Sequence, residues 1–149
     1  MPSEFEIDAF RRIVALEKTA GRLESMIVRP DNVVQVMINN AVALTTGNDK
    51  ARIRIPPKLN GMILKSVAAS RKSGTGVPNI MIRNVTDAVD MLTTAITIDT
   101  GETDSTTAAT QPVIDTTNNE VATADQIAID VDGAGTSTLI CIVSMTFGY

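Results

Sequence analysis

Apolar and polar residues alternate along much of the chain after residue 31. In the run KARIRIPP, for example, Arg52 and Arg54 are expected to face away from the isoleucines beside them. A repeat of two residues is typical of an antiparallel strand with one buried and one exposed face. We count about eight runs that fit a strand: NVVQVMINNAVAL, KARIRIPP, GMILKSVAAS, NIMIRNV, LTTAITID, TQPVID, IAIDVD and STLICIVSMTF.

Turn sequences separate these runs. They are TGNDK, LNG, SGTG, TGETD, TNNE and DGAG. Glycine tolerates positive φ, and the short polar side chains bond to nearby backbone, so such clusters favour turns. Short strands with regular turns over about 120 residues are typical of a sandwich or barrel. We therefore predict a mainly β domain at residues 31–149, a jelly-roll-like antiparallel β-sandwich.

The first 30 residues follow a different pattern, with apolar residues at spacings of three and four. Ser3 precedes Glu6 by three residues, as at a helix start, and Pro30 is expected to end the helix. The spacing fits a heptad seam. Its residues, with the charged pair beside the first layer, are Arg12, Ile13, Leu16, Glu17, Ala20, Leu23 and Ile27. Residues 1–30 are predicted to form an N-terminal α-helix, a coiled-coil stalk and anchor.

The hexapeptide RIVALE favours self-association of this helix as a parallel trimer. It places Arg12 at heptad position g, Leu16 at d and Glu17 at e. It resembles the R-h-x-x-h-E pattern of short three-stranded coiled coils. The stem of Arg12 can cover the seam while its guanidinium reaches Glu17 of the next chain. The alternative is a single amphipathic helix that packs on its own domain.

The predicted helix carries a second apolar stripe that a trimer seam does not need. Ile7, Phe10 and Val14 are spaced by three and four, and Phe5 lies beside them. One interpretation is that the stripe packs against the chain's own sandwich. The sharper hypothesis is a docking surface for another protein.

Composition argues against several classes of function. The formal net charge is −4, whereas a nucleic-acid partner usually requires a basic face. The chain has no histidine, which removes histidine-based triads and most zinc sites. We expect no enzyme activity, no catalytic residues, no metal and no cofactor. No apolar run approaches the ~18 residues of a membrane span, so no membrane insertion is expected. The single Cys141 is expected to be a buried small hydrophobe.

A few short motifs invite a chemical interpretation. DVDG, with Asp130 and Asp132, has part of a calcium-loop pattern but is flanked by predicted strands, so we interpret it as a strand leading into a turn. The acids of TDAVD and TGETD are expected to be solvated loop residues. SRKSGTG lacks the order of a phosphate-binding loop, and we interpret it as a flexible basic loop.

Three segments together resemble a known family. IPPKLNGMILKSVAAS, IMIRNVTDAVDMLTTAITIDTGETDSTTAATQPVID and VATADQIAIDVDGAGTSTLICIVSMTF resemble the small β-sandwich module of tailed-bacteriophage virion proteins. Such modules occur in tail fibres, head fibres and capsid-decorating proteins. The resemblance implies a virion component that is assembled in the cytoplasm of a host bacterium, with the tail baseplate or the capsid as partner.

The helix and the module together favour a homotrimeric short tail fibre with a helical anchor and a sandwich knob. The first alternative is a capsid decoration or head-fibre protein. A further alternative is a receptor-binding module for a host surface glycan, although the chain has no tryptophan and one tyrosine, Tyr149.

Overall fold

The computed structural model describes residues 32–149, and they form mainly β structure. The predicted N-terminal helix, its trimer seam and its docking stripe lie outside the described residues. Within residues 32–149 the strands are β1 Asn32–Met37, β2 Gly47–Arg54, β3 Met62–Asn84, β4 Val89–Asp90, β5 Leu92–Thr94, β6 Ile96–Thr97, β7 Val113–Ile114, β8 Glu120–Val121 and β9 Gln126–Gly148. Two short 3-10 turns lie at Pro57–Leu59 and Ser105–Thr107.

Two long antiparallel strands, β3 and β9, organise the fold. Each has 23 residues, and their pairing runs from Ile63 opposite Gly148 to Asn84 opposite Ile127. On one side, β1 and β2 pair with the two ends of β9. On the other side, β4, β6 and β8 pair with β3, while β5 and β7 form a separate two-stranded sheet. The result is a curled antiparallel sheet.

The central pair bends near its middle, which divides the curled sheet into two parts. We call the part that contains β1, residues 62–73 of β3 and residues 139–148 of β9 the β1 half. The part that contains β2, residues 79–84 of β3 and residues 126–133 of β9 is the β2 half. The pairing register shifts between Ser73 and Thr75 and again between Thr75 and Pro78. Such irregularities let a strand change direction without ending.

The bend corrects two predicted turns. SGTG and DGAG lie inside β3 and β9, where Thr75 pairs with Thr136. Gly74 has φ +133°, and a Cβ placed on it would lie 2.7 Å from the Cα of Thr138. Gly135 has φ +63° and is similarly confined. Glycine supplies positive φ at a bulge as readily as at a hairpin turn, so the sequence signal is the same for both.

Both halves bury their apolar side chains in one core. The β2 half contributes four isoleucines and the β1 half contributes aliphatic, sulfur-containing and aromatic side chains to the same cluster: Ile80, Ile82, Ile127, Ile129, Leu64, Cys141, Val143, Met145 and Phe147. The alternation predicted in KARIRIPP is confirmed, because Ile55 is buried while Arg52 and Arg54 are exposed. The mainly β prediction is confirmed, and the enclosed core is consistent with a β-sandwich.

Three other predicted boundaries differ from the structure. TGNDK was predicted as a turn, but Gly47 already belongs to β2 and an irregular register separates it from Ala51. LTTAITID was predicted as one strand and contains two, β5 and β6, with different partners. TQPVID was predicted as one strand, but β7 covers Val113–Ile114 alone; Pro112 immediately precedes it, where its missing N–H costs no ladder bond.

Candidate functional site

Arg71 lies at the bend of β3, and its surroundings correct the prediction of a flexible basic loop. The residue is 3% exposed and pairs with Cys141 inside the long ladder. Its guanidinium donates to the backbone carbonyls of Gly76, Asp99 and Glu102, each at 3.0 Å. A buried cation must find such partners because desolvation is costly. Arg71 therefore ties a distant loop to the bend and is not available to a ligand.

The acids of TGETD are occupied within their own loop. The carboxylate of Asp104 accepts from the backbone N–H of Thr106 at 2.8 Å and from its hydroxyl at 2.6 Å. The hydroxyl bond, with the backbone bond second, lowers the pKa of Asp104 below its ordinary value. Glu102 accepts from the hydroxyl of Thr107 at 2.7 Å. Both acids lie partly exposed in a loop, as predicted, and in addition Asp104 caps a 3-10 turn while Glu102 helps to fix the loop.

Asp130, the first acid of DVDG, belongs to a hydrogen-bonded network that joins three strands. Its carboxylate accepts from Arg83 Nε at 2.7 Å and from the backbone N–H of Asp49 at 2.5 Å. Asp130 is 5% exposed, whereas Asp132 is exposed. The hydrogen bond that Arg83 donates to Asp130 raises the pKa of Arg83. No cluster of three or more metal-ligating side chains occurs within residues 32–149.

The same network continues to the outer edge of β2. Arg52 forms an ion pair with Asp49 and donates to Gln126 at 2.6 Å. The hydrogen bond from Arg52 lowers the pKa of Asp49. Lys50 and Arg54 lie on the same eight-residue strand. The edge of the β2 half is therefore charged as well as irregular in register.

A buried amide organises the turn that follows β3. Asn84 is 1% exposed and donates to Asp87 at 2.8 Å and to Asp125 at 3.0 Å. Its carbonyl oxygen accepts from the backbone N–H of Thr86 at 3.0 Å. Asp125 also accepts from the backbone N–H of Ala122 at 2.8 Å. Asp87 of the TDAVD motif thus belongs to a turn-closing network.

Cys141 is buried, as predicted. Burial raises the pKa of its thiol to about 11, and the nearby charge of Arg71 opposes this shift. The thiolate is the reactive form of cysteine, so this thiol is inert at neutral pH.

The outward edge of β1 is a feature that the sequence analysis did not single out. Val33 and Met37 are 54% and 52% exposed, and Gln35 between them is exposed. The whole strand, NVVQVM, carries no charge. Within residues 32–149, β9 is the one strand that pairs with β1. The sequence signal for this surface was the alternation of Val33, Gln35 and Met37 in a run without charge. We used that alternation to predict a strand and did not infer an exposed uncharged edge from it.

Two open grooves lie on the described surface. One, of about 310 Å³, is lined by residues 38–45 and Lys50. The other, of about 360 Å³, is lined by residues 65–67 and 111–114. Neither of these two linings contains an aromatic side chain, and Tyr149 is 76% exposed at the surface.

Comparison with known proteins returns no relative. No family model, no curated protein and no solved structure matches the chain. Among the residues that the structure describes, no helix has the length and apolar character needed to cross a membrane.

Proposed function

We propose that this chain is a structural protein of a bacteriophage virion, a homotrimeric short tail fibre or appendage. Residues 1–30 would form the helical anchor, with the three helices joined through the seam. Residues 31–149 would form the knob, a jelly-roll-like β-sandwich. The proposal begins from the resemblance of three sequence segments to phage virion modules.

The observation that carries the proposal is how the described part of the chain uses its polar groups. Arg71 is enclosed by backbone carbonyls, Asp130 is paired with Arg83, and Asp125 is bonded to Asn84. Catalytic groups must reach a substrate, whereas these groups hold strands and loops in place. Their arrangement supports a mechanical role over an enzymatic one.

A capsid decoration or head-fibre protein is the second candidate. Its support is the outer face of the β1 half, where Ser66, Ala68 and Ser144 give a small and uncharged surface. The cores of protein interfaces are depleted of charged residues, and this face shares that property. A glycan-binding tip has less support, because neither groove described above offers an aromatic platform.

Mass spectrometry of purified particles from the phage that carries this gene tests the proposal. We expect the protein in the particles at a copy number divisible by three. Immunogold labelling in electron microscopy then separates the two candidates, with label at the tail for a fibre and over the head for a decoration. Absence from purified particles would refute both.

Leu16→Asp tests the trimer. It places three carboxylates in one layer of the seam, where burying each leucine contributes about 1.5–3 kcal/mol. We expect light scattering to show loss of the trimer, with Lys18→Asp outside the seam as the control. A wild-type monomer, or an unaltered trimer in the variant, would contradict the seam assignment.

Complementation tests the docking stripe. Phe5→Ser with Phe10→Ser is expected to leave the trimer and the sandwich intact and to prevent incorporation into virions. Exposed aromatic side chains are costly unless a partner covers them. Wild-type occupancy in particles would show that the stripe does not dock. Loss of the trimer would show that it serves the chain's own assembly.

A further inference from the structure

We propose that β1 pairs with β1 of a second copy of this chain, antiparallel and about a two-fold axis that passes beside Gln35. The pairing would join two β1 halves into one continuous sheet. The inference uses residues 32–149 and holds whether or not the protein is a virion component.

The hydrogen-bonding pattern of β1 fixes which backbone groups are free to pair. The N–H of Ile38 donates to the carbonyl of Cys141 at 2.8 Å, so Ile38 is directed at β9. Backbone groups alternate sides along a strand. Val33, Gln35 and Met37 therefore direct their N–H and C=O groups away from β9, and no backbone bond within residues 32–149 engages them.

The other edges of the curled sheet carry features that discourage strand addition, and β1 does not. Charged side chains, irregular register and short length all protect an edge strand. β2 has Lys50, Arg52 and Arg54 and a register shift. The remaining partners of β3, namely β4, β6 and β8, have two residues each. Six uncharged residues in regular register make β1 the unprotected edge of the described sheet.

The strand is complementary to itself in one register. An antiparallel pair centred on Gln35 places Val33 opposite Met37 of the second copy at both ends. In this register, all three outward residues form hydrogen-bonded pairs with the second copy. A shift of the pairing register by two residues in either direction leaves one of them without a partner. The Val33 and Met37 side chains meet on the outer face, and such cross-strand apolar pairs contribute about 0.2–1 kcal/mol each. No charge on β1 opposes a charge on its copy.

The second copy is the occupant that this pattern favours, because the register centred on Gln35 pairs all three outward residues with uncharged residues of the same strand. A charged partner strand would gain no ion pair from β1. A six-residue edge contact is smaller than the ~1,200 Å² of total surface that stable interfaces usually bury. If the trimer seam proposed above also joins the chains, several β1 edges would act together and strengthen the contact through effective concentration. Where the two-fold axis meets the three-fold axis at a right angle, the assembly closes into a hexamer of two trimers.

Cross-linking of full-length Gln35→Cys tests the axis directly. In the proposed register the Cα atoms of residue 35 in the two copies are about 5.5 Å apart, which is within the range for a disulfide. The native Cys141 is buried and its thiol is inert, so it does not compete. We expect most of the variant to become a covalent dimer under mild oxidation.

Ser66→Cys is the matched control. Ser66 is exposed on β3, opposite Thr146 of β9, and so lies two strands in from the β1 edge. Across the axis, the two copies of residue 66 would be more than about 24 Å apart, because five strand spacings of about 4.8 Å separate their strands. It should remain reduced or cross-link only at random. Equal cross-linking of both variants, or none of Gln35→Cys, would overturn the proposal.

Gln35→Lys is the second test, with Ser66→Lys as its control. Like charges on directly opposed residues destabilise a strand pair. We expect light scattering to show half the wild-type particle mass for Gln35→Lys and an unchanged mass for the control. Both variants should keep the wild-type circular dichroism spectrum. An unchanged mass for Gln35→Lys would overturn the proposal.

Amide hydrogen exchange separates the second copy from other occupants. We expect the amides of Val33, Gln35 and Met37 to be protected in the wild type and to exchange rapidly in Gln35→Lys. Continued protection in the half-mass species would show that another segment covers the edge, and that result would also overturn the proposal.

Discussion

The β1 half and the β2 half share two long strands but expose different chemistry. The outer face of the β2 half carries the network of Asp49, Arg52, Arg83 and Asp130. The outer face of the β1 half is uncharged in its central rows, where Ser144 of β9 lies opposite Gln35 and Ala68. The bend in β3 and β9 is where one surface changes to the other. A strand can therefore contribute a charged face at one end and an uncharged face at the other.

Gly74→Ala should have the largest effect, because it disturbs the join between the halves. The added methyl would meet the backbone of Thr138 at 2.7 Å while φ is +133°. We expect a loss of about 3 kcal/mol or more in the free energy of unfolding, from strain and overpacking together. Chemical denaturation measures it.

Gly101→Ala is the control for that prediction. Gly101 also has positive φ, at +88°, but nothing lies within 4 Å of its added methyl. We expect a loss of about 1 kcal/mol from conformational strain alone. Equal losses for the two variants would show that the close approach at the bend does not matter.

Arg71→Met should have the next largest effect, because it removes the link between the bend and the loop at residues 99–104. The three carbonyls that Arg71 now satisfies would lose their donor. We expect a loss of about 2 kcal/mol, less than three full penalties of about 1–3 kcal/mol each, because the three bonds are only partly buried and water can replace part of the lost donor. Lys72→Met, at the exposed neighbour, should change stability little. Limited proteolysis should locate the opening in the loop, and cleavage elsewhere would contradict this role.

Arg83→Met tests the charged face of the β2 half. It leaves the carboxylate of Asp130 buried with the backbone N–H of Asp49 as its remaining bond. Because Arg83 is partly exposed, solvent screens the loss, and we expect about 1–2 kcal/mol by thermal denaturation. Arg54→Met, on the exposed side of β2, is the control. A neutral result at Arg83 would mean that the pair adds nothing to the fold.

Asp104→Asn should have the smallest effect and should appear as a dependence on pH. Folding lowers the pKa of this carboxyl, so its contribution is present above the ordinary aspartate value and is lost as pH falls through the folded value. We expect the wild type to lose stability below about pH 4 more steeply than the variant. Identical slopes from pH 5 to pH 2 would contradict the assignment.

The sequence predicted which residues face the core more reliably than where strands end. Alternation placed Ile55 inside and Arg54 outside, since burial follows local period. The glycine-rich runs SGTG and DGAG could not be distinguished from hairpin turns. What makes them a bend is that both lie in the irregular stretch of the ladder between β3 and β9, whose pairs join residues about sixty positions apart, such as Thr75 and Thr136.

Arg71 shows why much of the candidate site escaped prediction. Its neighbours in sequence are polar and glycine-rich, which favours a solvated loop. Its hydrogen-bond acceptors include the carbonyls of Asp99 and Glu102, which become neighbours only after folding. Backbone carbonyls carry no signature in a sequence. The position of β1 at the edge of the sheet could not be predicted for a related reason. Which strand lies at an edge depends on the topology of the whole sheet.

The central pairing of β3 with β9 has a consequence for the order of events during synthesis. Ile63 can pair only after Gly148 has been synthesised, and Asn84 only after Ile127. The ladder strands of both halves therefore stay incomplete on the ribosome until β9 has emerged. Contacts so distant in sequence are slow to form, because loop closure must precede them. Until then β1 and β3 are nascent chain without their main partner, a period in which a chaperone that shields unpaired strands would have its greatest effect.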